Sequence, residues 1–307
     1  MKEENTVKIE TYEEVLSPLL DPIFKALFTS ETPESREALK NFISAYIGRK
    51  VNEVSISTNE PAVSSLEDKQ IRYDISCIFN DGQKCNVEMT VFPSLNENLR
   101  IEYYTSRLFV SQKTKGNRDW KDLKEAYQIS IIVNNQIFED ESLVHTFEYY
   151  DRKNDVSLKG NTHIITVELN KLKNICEKNI ETLSGTEIWA IFLRYVQSKE
   201  KRELVNELIK SDRGICMATQ ALLSISKDEE MQMKALSEEK RLRDYNMDKN
   251  SWINSGVERG RKEGIKVGIQ RGLETGRKEG REEGRKEIIE KMRAQGFSEE
   301  QIKSIIE

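Results

Sequence analysis

Asp74 and Glu88 are separated by thirteen residues that contain a strong turn signal, Asn80-Asp81-Gly82. The chain alternates on both sides of it. Successive side chains of a strand point to opposite faces. Ile71, Tyr73, Ile75, Cys77 and Phe79 therefore share one face, and Arg72, Asp74 and Ser76 the other. After the turn Cys85, Val87, Met89 and Val91 form the apolar face, and Lys84, Asn86, Glu88 and Thr90 the polar one. Both strands must send their apolar faces the same way. A two-residue Asp-Gly loop would pair Tyr73 with Thr90 and break that match, whereas a three-residue loop with Gly82 left-handed restores it. The resulting register predicts Asp74 opposite Glu88, Arg72 opposite Thr90 and Cys77 opposite Cys85. Directly opposed Cβ atoms lie about 4.5–5.5 Å apart.

Two carboxylates that close repel each other unless a cation sits between them. Magnesium takes oxygen ligands and usually one or two protein carboxylates, leaving room for water and phosphate. Asp74 and Glu88 are thus a candidate site for Mg2+ or Mn2+ and for metal-assisted phosphodiester hydrolysis. The same spacing also suits a solvated polar sheet face whose repulsion is relieved by Arg72 or Lys84.

The elements that would hold this hairpin can be read from periodicity. Residues 1–15 form a polar lead expected to be mobile. Leu19, Ile23, Phe24, Leu27 and Phe28 recur at helical spacing, and Asp21-Pro22 suits a helix start with Asp21 as N-cap and Pro22 at the first helical position. A second helix is expected over 33–47, a strand over 51–57, a helix over 99–115 ended by Gly116, and buried strands over 128–133 and 162–169. Residues 16–172 therefore read as helices packed on a mixed sheet. Beyond residue 175 no strand pattern remains, and helices are expected over 187–199, 201–211, 214–225 and 227–246. Glycines then occupy every fourth position from Gly256 to Gly284. The tail 288–307 is amphipathic, broken by Gly296 and restarted with Ser298 as N-cap. These shifts divide the chain into a core over 16–175, a helical region over 176–250, the repeat over 251–287 and the tail.

Composition narrows the class. Charged residues make up 33% and hydrophobic residues 37%, values that imply long solvated helical faces. The net charge of −5, from 48 basic and 53 acidic residues, does not advertise nucleic-acid binding, so such a role requires a local basic surface. The four cysteines lack CxxC spacing and the chain has 2 histidines, which disfavours a zinc site. No apolar run reaches membrane-spanning length, and the acidic start MKEENTVKIETYEE is unlike a signal peptide. The expectation is a reduced, cytoplasmic protein.

Several stretches carry a resemblance to a known family: Asp21-Pro22-Ile23-Phe24-Lys25-Ala26-Leu27-Phe28, Arg72-Tyr73-Asp74-Ile75, Asn86-Val87-Glu88-Met89-Thr90, Arg100-Ile101-Glu102-Tyr103-Tyr104 and Val167-Glu168-Leu169-Asn170-Lys171. In this order, over roughly residues 16–240, they resemble the Rpn family of recombination-promoting, transposase-like nucleases of the PD-(D/E)XK superfamily. The resemblance implies an α/β, restriction-endonuclease-like mixed sheet flanked by helices and followed by an all-helical C-terminal region. It also implies magnesium-dependent DNA endonuclease activity, with Asp74 and Glu88 as metal ligands and Asp21 as an acidic residue of the first helix. The departure is Thr90, where the nuclease signature has Lys and many Rpn members have Gln. Thr90 can hydrogen-bond a water but carries no charge, so Arg72 or Lys84 would have to substitute. The alternative is a weak or inactive paralogue that binds DNA or serves in assembly.

In such a nuclease the stripe Arg100, Tyr103 and Arg107, together with Lys113 and Lys115 in the following loop, is placed to contact DNA phosphates. Glu168 and Lys171 are expected to end a buried strand and close the domain, with an additional metal ligand as the other reading of Glu168, and His145 and His163 are expected to be structural. The glycines advance about 400° per step, so they form a slowly winding ridge that lets a second backbone approach. With ten basic and seven acidic residues between Val257 and Glu287, the expected contact is a homodimer in water through residues 256–287. A charged flexible linker is the other reading of the repeat.

Overall fold

A computed structural model describes residues 7–57, 71–112 and 119–306. The chain forms two compact units, Met1–Glu239 and Lys240–Glu307.

The first unit is built on a six-stranded sheet in the order β1-β2-β3-β4-β8-β5. Its strands are β1 (Val54–Ile56), β2 (Ile75–Phe79), β3 (Gln83–Thr90), β4 (Ala126–Ile132), β5 (Val144–Phe147) and β8 (Thr162–Glu168). Strands β1, β2 and β3 are antiparallel, β3, β4 and β8 are parallel, and β5 closes the edge antiparallel to β8. A small hairpin, β6 (Tyr150–Asp151) with β7 (Val156–Ser157), stands apart from the sheet. Strands β5 to β7 escape sequence inspection because they are short and half-exposed, which leaves little apolar alternation to detect. The mixed sheet with flanking helices matches the α/β, restriction-endonuclease-like expectation.

Helix α1 (Asp21–Thr29) buries Ile23, Phe24, Leu27 and Phe28. Its N-cap is Leu20, with no side-chain cap, and Asp21 is the first helical residue. Helix α2 (Pro33–Ile47) is capped by the Thr32 hydroxyl and ends at left-handed Gly48. The expected break near residue 175 does not separate compact units. Helices α4 (Gly185–Tyr195), α5 (Arg202–Ser211) and α6 (Arg213–Ser226) belong to the same unit as the sheet. Trp189 of α4 lies 5.2 Å from the Phe42 ring and 5.8 Å from Phe28, and its Nε1 donates to Asn41 Oδ1 at 2.7 Å. Such rings contribute stability beyond the area they bury. The approach of α6 to α2 requires Gly214, where a Cβ would sit 2.0 Å from Asn41 Cγ. The expected mobile lead is in part docked. Ile9 and Val15 are buried, and the Ile9 backbone exchanges two hydrogen bonds with the Asn206 side chain.

Helix α3 (Glu97–Val110) covers one face of the sheet and ends five residues before the expected Lys115. Its C-cap Ser111 hydroxyl accepts a hydrogen bond from Lys84 Nζ at 2.8 Å. Lys113 and Lys115 lie outside the described residues. The hairpin register is the expected one, Ile75 opposite Val87 and Cys77 opposite Cys85, with Gly82 at φ +92°. The alternation, however, does not run back to Ile71. The chain bends at Asp74, and Ile71 and Tyr73 pack with Leu108 of α3 and Ala126, with the Tyr73 ring edge-on to Tyr104.

Helix α7 (Glu229–Ala294) begins in the first unit, where Ala235 is buried, and makes up most of the second. All eight repeat glycines are helical, so the repeat is not a loop, and a Cβ at any of them meets open space. Gly296 at φ +88° ends the helix, and α8 (Glu299–Ile306) follows with the Ser298 hydroxyl accepting from Gln301 N–H at 3.4 Å. Among the described residues no helix is long and apolar enough to cross a membrane.

Candidate active site

The bend at Asp74 and the neighbouring β3 bring Asp74 and Glu88 into an interlocked pair. The Asp74 backbone N–H donates to Glu88 Oε1 at 3.1 Å, and the Met89 N–H donates to Asp74 Oδ2 at 3.2 Å. Each carboxylate therefore accepts from backbone at or next to the other, which ties the two side chains together. Glu88 is 4% exposed. Its Oε1 also accepts from Asn86 Nδ2 at 3.0 Å, and the same amide donates to Gln128 Oε1 at 2.8 Å. The polar face of the hairpin is thus not solvated, because α3 covers it.

Among the described residues two cations flank the pair, and neither is the expected Arg72 or Lys84. Arg72 is exposed. Lys84 is four residues from Glu88 along the same strand, about 13 Å at ~3.3 Å per residue, and is engaged with Ser111. Instead Lys25 of α1 lies 3.0 Å from Asp74 Oδ1 and 2.8 Å from Asp21 Oδ1. Arg100 of α3 donates from Nη1 to Glu88 Oε2 at 3.3 Å, from Nη2 to Thr90 Oγ1 at 2.6 Å and from Nε to Glu97 Oε1 at 2.9 Å. Thr90 in turn donates its proton to Glu97 Oε1 at 3.1 Å. A hydroxyl has one proton to give and two lone pairs, so Thr90 bridges Arg100 and Glu97 and keeps one lone pair that can accept from a water.

Electrostatics set this pair apart from a structural ion pair. Burial first, then the Asp74 charge, raises Glu88 to about 7, against the lowering effects of Asn86 and Arg100. Asp74 is also raised, by burial, with Lys25 opposing. Glu97 is the contrast: burial disfavours its charge, but the Arg100 hydrogen bond and charge outweigh that and hold it below the usual range. Burial and mutual repulsion thus disfavour full ionisation of the pair, a cost that a divalent cation between the carboxylates would relieve.

The donor set fits such an ion. Two adjacent carboxylates are the usual protein complement for magnesium, and the buried Asn86 Oδ1 has no hydrogen-bond partner among the described residues, an acceptor suited to an ordered water. Among the described residues no group of three or more His, Cys, Asp or Glu side chains converges as a metal cluster.

The other expected residues divide. Arg100 faces the carboxylates instead of solvent and stacks over Tyr104 at 5.1 Å. Tyr103 is exposed and Arg107 half-buried on α3. Asp21 reaches the pair through Lys25. Glu168 is fully buried and accepts from the Ile137 and Phe138 backbone and from Lys171, a latch for the loop before β5 and not a ligand of the pair. His145 bonds Asp140 at 2.9 Å, and His163 stacks on Tyr127. Sequence inspection missed Lys25 as a partner of Asp74 and Glu97 as the anchor of Arg100. The Glu97–Arg100 spacing of i,i+3 on one helix was a usable signal.

A family model described as PD-(D/E)XK nuclease family transposase matches residues 18–254. Comparison with curated proteins and with solved structures returned no match. The chain belongs to the PD-(D/E)XK nuclease family transposases, and the family supports a nuclease-like function.

Proposed function

We propose that this family member is a magnesium- or manganese-dependent DNA endonuclease that hydrolyses phosphodiester bonds at Asp74 and Glu88. The observation that carries the reading is the buried pair itself, two interlocked carboxylates with one pKa raised to about 7 and a cation on either side. A metal held by Asp74 and Glu88 supplies Lewis-acid polarisation of a phosphoryl oxygen and a more acidic water. The chain's own residues do the remaining work. Lys25 opposes the burial that raises Asp74 and presents a positive charge beside it. Arg100, clamped by Glu97 and Thr90, is aimed at the space next to Glu88 and stabilises negative charge developing on the phosphate. Arg100 thereby takes the role that Lys has in the nuclease signature.

Tyr103, Arg107, Lys113 and Lys115 are proposed to position the DNA backbone. The repeat over 256–287 is proposed to pair two copies, which brings two sites to one duplex. A reducing, cytoplasmic setting suits the four free thiols. The reading is tested by incubating the purified protein with supercoiled plasmid and Mg2+, with Asp74→Ala as control. Metal-dependent nicking that the substitution abolishes supports it, and nicking that survives Asp74→Ala refutes it.

A further inference from the structure

The polar row that holds Glu88 continues across the sheet. Glu88 pairs with Ser130 of β4, Ser130 with Thr166 of β8, and Thr166 with His145 of β5. Thr166 is two strands from Glu88, about 10 Å at ~4.8 Å per strand. There the sheet and α3 diverge around a cavity of about 340 Å³, the size range of a small-ligand site. Ile164 and Thr166 form its floor, Ile101 and Glu102 of α3 one wall, and Phe138 and Phe147 another. The Phe138 and Phe147 rings are 5.4 Å apart at 37°.

Three features identify what it takes. First, Thr166 is 1% exposed and its Oγ1 has no hydrogen-bond partner among the described residues. A buried unpaired hydroxyl costs stability, and a ligand polar atom reaching the floor removes that cost. Second, among the described lining residues none is basic, while Glu102 and Glu148 are carboxylates, so a phosphate or other anion is disfavoured inside. Third, the walls are flat and aromatic on one side and aliphatic on the other, the sandwich that holds an unstacked base.

We propose that this cleft receives cytosine or adenine, held by its exocyclic N4 or N6 amine and unstacked from the DNA strand whose phosphate lies at Glu88. The amine donates to Glu102, as cytosine N4 does to a carboxylate, and a ring or carbonyl acceptor meets the Thr166 hydroxyl. The inference rests on the reading of the protein as a DNA nuclease, and it gives that nuclease a preference for cytosine or adenine over thymine beside the cut.

Free nucleosides test it without cleavage. The full-length protein, with Ile and Thr methyls labelled, is titrated with cytidine, adenosine, uridine and thymidine to about 10 mM, the weak end of measurable affinity. The Ile101, Ile164 and Thr166 methyl signals are expected to shift and saturate with cytidine or adenosine, with uridine and thymidine binding at least about fivefold more weakly. Ser106→Trp, at an exposed lining position of α3, should abolish the shifts, and Glu102→Ala should bring cytidine down to the uridine level. No shift with any nucleoside, or equal shifts in the Ser106→Trp variant, overturns the site, and equal binding of all four overturns the amine contact. A protein that nicks plasmid yet shows no methyl shift keeps the proposed reaction and loses the base site. One that binds cytidine but never nicks keeps the base site and loses the reaction.

Discussion

Replacing Glu88 by Gln should make the metal-free protein more stable, although it removes a buried side chain that makes several hydrogen bonds. Burial and Asp74 lift Glu88 from 4.5 to about 7 in the folded state. At ~1.4 kcal/mol per unit, the folded protein carries a cost of about 3 kcal/mol for keeping this group ionised. The sign follows from linkage. An acid whose folded pKa is raised penalises folding only where the unfolded chain would be ionised. The cost is therefore absent below about pH 4.5, grows between 4.5 and 7, and is full above 7. Gln preserves an acceptor for the Asp74 N–H and Asn86 but turns an amide N–H2 toward Arg100 Nη1, a donor facing a donor, which returns about 1 kcal/mol. The net expectation at pH 8 is a gain of about 2 kcal/mol, disappearing by pH 5. Urea denaturation in EDTA at the two pH values reads this directly from the midpoint and slope. A variant less stable than wild type at pH 8, or a difference that does not change with pH, would show that Glu88 is a structural partner of Arg100 and not a carboxylate held ready for a cation. Functional sites commonly carry stability costs of this kind.

Lys25→Met should slow plasmid nicking by about 10²-fold, the usual loss for a charge-stabilising donor, and an initial rate within twofold of wild type would confine Lys25 to a helix ion pair. Thr90→Lys, which restores the signature residue, should lower the rate by roughly tenfold, because Arg100 Nη2 already stands 2.6 Å from the Thr90 hydroxyl. Thr90→Lys combined with Arg100→Gln should recover activity relative to either single change, and a single Thr90→Lys that accelerates nicking would show that Arg100 has not taken over the role. The combined Gly264→Ala, Gly268→Ala and Gly272→Ala variant meets no steric obstacle within the chain and gains about 1 kcal/mol of helix propensity per site. It should nevertheless sediment as a weaker dimer than wild type, and unchanged self-association would place any dimer contact away from the repeat.

The hairpin register was legible because one geometric constraint, apolar faces on the same side, selects one loop length, and Gly82 supplies the left-handed residue that loop requires. The buried strands β4 and β8 and the helices α1 to α6 showed through their periods. What stayed hidden was held by contacts without periodicity. Lys25 and Asp74 are far apart in the chain, and nothing local marks the lysine as shared between Asp21 and Asp74. The alternation over 71–79 looked unbroken, yet the bend at Asp74 sends Tyr73 to α3 and sets the carboxylate against Met89. Thr90 looked like a defect in the site, and only the position of Arg100 shows a second cation beside Glu88. The division of the chain was obscured because helices α4 to α6 lack strands of their own but complete the aromatic core around Trp189.

Calorimetric titration of Mn2+ or Mg2+ into the metal-free protein, followed by plasmid nicking on the same samples, tests the central claim most directly. Wild type should bind the ion at the Asp74 and Glu88 pair and nick only when it is bound, while Asp74→Ala and Glu88→Ala should lose both binding and nicking with the fold intact by circular dichroism. Binding or nicking retained in both variants would contradict the assignment of this pair as the catalytic metal site.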